Sequence, residues 1–155
     1  MTVAEKLVAL LKAQGLTCAT AESCTGGGVG SAITAVPGSS AVFAGGVISY
    51  SNEVKHEVLG VAAEALDRFG AVSSEVAAQM AVGARNLLKT DLAVSLTGIA
   101  GPDGGSEEKP VGLVWFGLAT KGGVRTEKAI FRGDRARVRE QAVIHALGML
   151  TVGAT

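Results

Sequence analysis

The stretch Ala21-Glu22-Ser23-Cys24-Thr25-Gly26-Gly27-Gly28 limits the available folds more than any other part of the chain. Ahead of it, residues 16–21 form a short apolar run of strand length. Behind it, residues 29–35 are apolar enough for a helix packed on a sheet. A strand turning through glycines into a helix is the start of an α/β unit. Glycine has no Cβ and tolerates positive φ, so backbone at such an elbow can come very close to a ligand. The first N–H groups of the helix favour negative charge there. Ser23, Cys24 and Thr25 supply hydroxyl and thiol nucleophiles beside those donors. The simpler alternative is a tight turn in which Ser23 or Thr25 only caps the helix.

At 155 residues the chain is long enough for one domain with a sizeable core, and one domain over 1–155 is expected. Hydrophobic residues are 48% and charged residues 18%, which excludes a chain too polar to fold. Lys plus Arg equals Asp plus Glu, 14 against 14. That balance argues against nucleic acid or a membrane surface as a partner held by bulk charge. Cys18 and Cys24 make no disulfide framework, and with two histidines and no Cys-x-x-Cys no metal site is expected. No run of about 18 apolar residues suggests a membrane span. The first residues do not read as a signal peptide, so a cytoplasmic protein is expected.

Helical spacing of Val3, Leu7, Leu10 and Leu11 predicts a helix over 2–14, stopped by Gly15. Residues 41–50 read as a second strand region bent at Gly45-Gly46. Ser51 opens a short helix, residues 61–69 form another, and Ser73 or Ser74 starts a longer one through Leu88. The continuous apolar run 92–96 reads as a central strand. From Thr97 to Pro110 turn formers dominate, and a loop of that length is usually functional or disordered. Residues 111–120 and 124–131 form a hairpin, and Asp134 begins a last helix. Helices alternate with strands early and a hairpin comes late. The expected fold is α/β, a three-layer α/β/α sandwich on a mixed, mostly parallel sheet. Ligands of such sheets bind outside the carboxyl ends of strands. If the early strands run parallel, the elbow, the Tyr50 segment and the loop after Leu96 meet at one edge.

A serine there needs a base. His56 lies in a charged helix start and His145 within the last helix, so neither suits the task. Lys55, desolvated among apolar neighbours, can lose its proton near neutral pH, with the Tyr50 hydroxyl relaying or orienting it. An isolated lysine is more often a solvated helix residue. Cys24 is a rival nucleophile because a helix N-terminus lowers a thiol pKa, although a free cysteine is more often a small buried hydrophobe. Arg132, Arg135 and Arg139 gather at the start of the last helix, where cations are unfavourable unless an anion joins them.

Five segments occur in order: the elbow, Pro37-Gly38-Ser39-Ser40, Tyr50-Ser51-Asn52-Glu53-Val54-Lys55, Gly70-Ala71-Val72-Ser73, and Thr97-Gly98-Ile99-Ala100-Gly101-Pro102-Asp103-Gly104-Gly105. With Lys109-Pro110-Val111-Gly112 they resemble the CinA C-terminal domain family, the nicotinamide-nucleotide amidohydrolases. The resemblance covers nearly the whole chain. It implies hydrolysis of the carboxamide of nicotinamide mononucleotide to nicotinate mononucleotide and ammonia, with no cofactor. Ser23, Tyr50 and Lys55 would be catalytic, with Cys24 and Thr25 left open as alternative nucleophiles. Thr25, Gly26 and Gly27 would hold substrate and oxyanion, and Thr97, Gly98, Gly101 and Gly105 would border ribose and ring. In the turn at 37–40, Ser39 or Ser40 could cap or contact ligand, and Ser40 is the expected substrate contact. Arg132 or Arg139 would meet the phosphate. The expected partner is a small pyridine nucleotide, with no nucleic acid and no membrane, and a homo-oligomer is compatible with the sequence. Alternatives are an amidase of another small carboxamide, or a non-catalytic module binding a nucleotide or a competence-related partner. Two departures stand out. Many relatives carry a molybdopterin-binding-like domain ahead of this one, which is not expected here. Gly28-Val29-Gly30 is also a smaller helix start, expected to alter the grip on the phosphate end.

Overall fold

The computed structural model describes residues 1–155. Helix α1 (Val3–Gln14) leads into β1 (Cys18–Glu22) and α2 (Gly28–Thr34). A 3₁₀ turn (Ser39–Ala41) precedes β2 (Phe43–Ile48), and three helices follow: α3 (Asn52–Glu57), α4 (Ala63–Phe69) and α5 (Ser74–Leu88). Strands β3 (Leu92–Gly98), β4 (Leu113–Thr120) and β5 (Gly123–Ile130) precede the final helix α6 (Arg135–Gly153). Local chemistry sets these boundaries. Thr2, Ser51, Ser73 and Asp134 each accept a hydrogen bond from the backbone N–H three positions on, at the starts of α1, α3, α5 and α6. Gly15 ends α1 in the left-handed conformation.

The sheet order is β2-β1-β3-β4-β5. β1 pairs in parallel with β2 and β3, whereas β4 is antiparallel to both β3 and β5. Only β4 therefore opposes the common direction. Helices α1, α2 and α6 cover one face, and α5 with α4 covers the other, completing the α/β/α layers. Alternation along the strands divides the core. Leu92, Val94 and Leu96 join Leu7, Ile33, Phe116 and Leu150 under α1, α2 and α6. Ala19, Ala21 and Ala93 face Val76 and Met80 of α5. The second face is built from small side chains, so α5 lies close to the sheet. A Cβ at Gly117 would sit 2.7 Å from Ser95 Oγ and 3.0 Å from the carbonyl carbon of Ala77. Full burial contributes about 1.5–3 kcal/mol for each large aliphatic chain.

Several boundaries differ from the sequence reading. β2 starts at Phe43, because residues 39–41 close a 3₁₀ turn instead. The irregularity in β2 falls on Ala44, just before the glycine pair: Cys18 pairs with Phe43 and Ala19 with Gly45. β4 starts at Leu113, after Gly112 (φ 94°) donates its N–H to Ile99 O at 2.7 Å. The parallel run of β1, β2 and β3 brings Glu22, Ile48 and Gly98 to the same sheet edge. No helix is long and apolar enough to cross a membrane.

Candidate active site

The elbow is held by a residue to which the sequence reading gave no role. Glu22 is 2% exposed and ends β1. Its Oε1 accepts from Thr25 Oγ1 at 2.7 Å and from Val29 N at 2.9 Å, and its Oε2 accepts from Gly30 N at 2.9 Å. One carboxylate thus occupies the N-terminal donors of α2. The expectation that these helix N–H groups face a ligand is not what the structure shows. The acid directly before the glycine-rich helix start was the available signal. In the turn itself, Gly26 N–H donates to Ser23 O and Gly28 N–H to Thr25 O. The N–H groups of Cys24, Thr25 and Gly27 have no acceptor within the chain. Gly28 and Gly30 serve packing: a Cβ at Gly28 would lie 2.9 Å from Val143 Cγ2, and one at Gly30 would lie 3.3 Å from Phe43 Cζ.

Ser23 continues β1 by donating its N–H to Leu96 O at 3.1 Å, and it is buried. Beyond β2 the chain leaves the sheet, so the carbonyls of Ser49 and Tyr50 lack strand partners. Lys55 takes them. Ser51 caps α3, and that helix aims the lysine inward. Lys55 is 1% exposed, and its Nζ lies 2.7 Å from Ser49 O, 3.1 Å from Tyr50 O and 3.1 Å from Ser23 Oγ. Burial pushes its pKa below the ordinary lysine value. In the neutral state two N–H bonds can go to the carbonyls, leaving the lone pair to accept from Ser23 O–H. Cys24 is buried in the α2–α6 side of the core, and burial pushes its thiol up to about 11. A thiol with that pKa stays protonated at neutral pH.

Ser23 and Lys55 share a cavity of about 180 Å³ with Cys24, Tyr50, Thr97, Gly98 and Arg135, and Ala71, Val72 and Ala100 complete its wall. Two larger apolar grooves, of about 810 and 740 Å³, contain neither Ser23 nor Lys55. Tyr50 meets the lysine through its carbonyl, while the residue as a whole is 65% exposed at the rim. The phenol makes no hydrogen bond to Lys55 or Ser23. Thr97 lines the cavity and donates its hydroxyl to Ala71 O at 2.9 Å. Thr25 has its hydroxyl committed to Glu22.

Other expected contacts fall away from the cavity. Ser40 is exposed in the 3₁₀ turn, whereas its neighbour Ser39 is the buried one. Gly26 and Gly27 shape the elbow with φ of 59° and 100° but do not line the cavity. Gly101 gives its carbonyl to Arg135 Nη1 at 2.8 Å, and Gly105 packs against Val111 inside the loop. Arg132 is exposed, outside α6, and its carbonyl accepts from Gln141 Nε2. Arg139 donates from Nε to Cys24 O at 3.0 Å and from Nη2 to Thr25 O at 3.2 Å. The arginine on the cavity wall is Arg135, which the sequence reading grouped with the others but did not select. Its four-residue spacing from Arg139 on one helix face was the missed cue. No group of three or more His, Cys, Asp or Glu side chains is placed to hold a metal.

The arrangement pairs a buried hydroxyl with a buried amine of lowered pKa, beside unpaired backbone donors. Comparison with known proteins places the chain in a family. The family model for the CinA C-terminal domain matches residues 1–152. The nicotinamide-nucleotide amidohydrolase PncC of Escherichia coli (strain K12) is 52% identical over 151 residues, which cover 97% of this chain and 92% of that protein. A putative competence-damage inducible protein of Caldanaerobacter subterraneus is also 52% identical, over 94% of this chain but 35% of that longer protein. Among solved structures, the competence/damage inducible protein CihA of Agrobacterium tumefaciens superposes with a TM-score of 0.94 at 42% identity, covering 98% of this chain and 93% of that one. A CinA superfamily protein from Klebsiella pneumoniae gives 0.94 at 36% identity, covering 98% and 95%. The chain belongs to the CinA C-terminal domain family.

Proposed function

We propose that this chain hydrolyses the carboxamide of nicotinamide mononucleotide to nicotinate mononucleotide and ammonia, with Ser23 as nucleophile and Lys55 as base. The observation that carries the reading is the 3.1 Å approach of Lys55 Nζ to Ser23 Oγ in a buried setting. The amidohydrolase name of a relative 52% identical over 97% of the chain supports the substrate. Ser23 Oγ attacks the carboxamide carbon as its proton passes to neutral Lys55. The oxyanion forms against the free N–H groups of Cys24 and Thr25, and Lys55 returns the proton to departing ammonia. Water then attacks the Ser23 ester, again giving its proton to Lys55, which passes it to the departing Ser23 Oγ as the acid is released. Tyr50 turns in from the rim when the ring enters and orients the proton in transit.

A cavity of about 180 Å³ lies below the roughly 300–1,000 Å³ of sites that enclose a drug-sized ligand. The pyridine end fits inside, and the ribose phosphate extends past Arg135 toward the Thr97–Gly105 loop. Arg135 is the phosphate-facing cation in this reading. The test is ammonia release from the mononucleotide, its riboside and free nicotinamide. The expected order places the mononucleotide far ahead, and equal turnover of all three would sink the proposal.

A further inference from the structure

Resting on that reading, we infer that Arg139 is a positioning residue for the oxyanion site, acting through the two peptide groups that follow the nucleophile rather than on the substrate. Its Nε–H donates to the carbonyl of Cys24, and that carbonyl belongs to the same peptide plane as the Thr25 N–H. Its Nη2 donates to the carbonyl of Thr25, whose peptide partner, the Gly26 N–H, closes the turn back onto Ser23 O at 3.1 Å. A guanidinium on a carbonyl oxygen draws electron density from the peptide, so the N–H at its other end becomes a stronger donor. That N–H is one of the donors with no acceptor in the chain.

The elbow is gripped from a second direction. Glu22 accepts from the Thr25 hydroxyl at 2.7 Å, so Thr25 is fixed by its side chain and by its carbonyl while its N–H stays open. The planar guanidinium fork suits two carbonyls at fixed spacing, which an ammonium on a flexible stem holds less rigidly. This also answers the electrostatic question of a cation in the first turns of α6. Two carbonyl dipoles meet it, so no bound anion is required to hold it there. A preorganised donor of this kind acts where charge develops, and its effect falls on the chemical step more than on binding.

The experiment compares wild type, Arg139→Lys and Arg139→Gln in two assays. The first measures kcat and KM for the mononucleotide and its riboside. The second measures the rate and final stoichiometry of Ser23 labelling by an alkyl fluorophosphonate, which needs the same oxyanion donors but carries no nucleotide. The expected result for Arg139→Gln is a kcat lower by roughly 10-fold or more, within the ~10²–10³-fold that loss of a whole oxyanion donor produces. KM, the mononucleotide-to-riboside preference and the final labelling stoichiometry should be retained, while the labelling rate falls with kcat. Arg139→Lys should lie between. A raised KM with lost preference for the mononucleotide, and labelling at the wild-type rate, would overturn the inference and make Arg139 a phosphate ligand. Reduced stoichiometry at an unchanged rate would also overturn it, showing loss of fold alone. If wild type labels but leaves the mononucleotide intact, the substrate reading fails and the labelling rates still decide this one. A wild type that does not label overturns both.

Discussion

Lys55 Nζ stands 3.1 Å from Ser23 Oγ across 32 positions of chain, and both side chains are closed off from solvent. Two carbonyls at the end of β2 complete the coordination of the amine. An ordinary lysine in water would be charged near neutral pH. Here burial works against the charge, and no carboxylate forms an ion pair with it.

The nucleophile can be separated from its neighbour by substitution. Ser23→Ala should lower kcat by about 10⁴-fold or more, as removal of a serine nucleophile does elsewhere, with little change in thermal midpoint. Cys24→Ala should keep most activity, because a thiol pushed up to about 11 is no nucleophile at neutral pH. Ammonia release and thermal unfolding of both variants check this pair of outcomes.

Glu22 carries a stability prediction. Its carboxylate satisfies the Thr25 hydroxyl and two backbone N–H groups in a buried position. Glu22→Ala should destabilise the protein by about 2–3 kcal/mol, the scale of leaving buried donors without acceptors. Glu22→Gln keeps one acceptor oxygen and should lose less. Urea unfolding gives both values, and an unchanged midpoint for Glu22→Ala would contradict the capping role.

Two glycines should respond differently to a methyl group. At Gly28 the added Cβ would meet a side-chain methyl, Val143 Cγ2, at 2.9 Å. Gly28→Ala should cost about 1–2 kcal/mol, and Val143→Ala in the same chain should recover part of it. At Gly98 the Cβ would meet backbone as well, Leu113 O at 2.8 Å. Trimming Val114 should therefore not rescue Gly98→Ala. Double-mutant unfolding measurements decide both.

Much of the fold was legible because its signals are local. The apolar run 92–96 lies in the middle strand, Ser73 and Asp134 cap the helices they precede, and Lys121-Gly122 connects β4 to β5. Meeting of the three segments at one edge followed from parallel strands. What local sequence could not give was the choice among equivalent donors and acceptors. Arg139 finds its carbonyls 114 and 115 positions away, so nothing near it marks that destination. Ser39 and Ser40 are neighbours of the same type, and only the 3₁₀ turn decides which is buried. Glu22 had no assigned role because nothing local shows that its oxygens are consumed by the helix start.

The most direct measurement is turnover of the mononucleotide against pH for wild type, Lys55→Arg and Lys55→Ala. Burial lowers the Lys55 pKa, so its neutral, proton-accepting form gains population at lower pH than an ordinary lysine allows. Wild-type kcat/KM should rise as pH rises through that lowered pKa, and fall away on the acid side. Arginine keeps the charge but cannot give up its proton in a protein. The account predicts that Lys55→Arg is as inactive as Lys55→Ala at every pH. Substantial turnover by Lys55→Arg would contradict it, leaving Lys55 as a fixed charge and the base elsewhere.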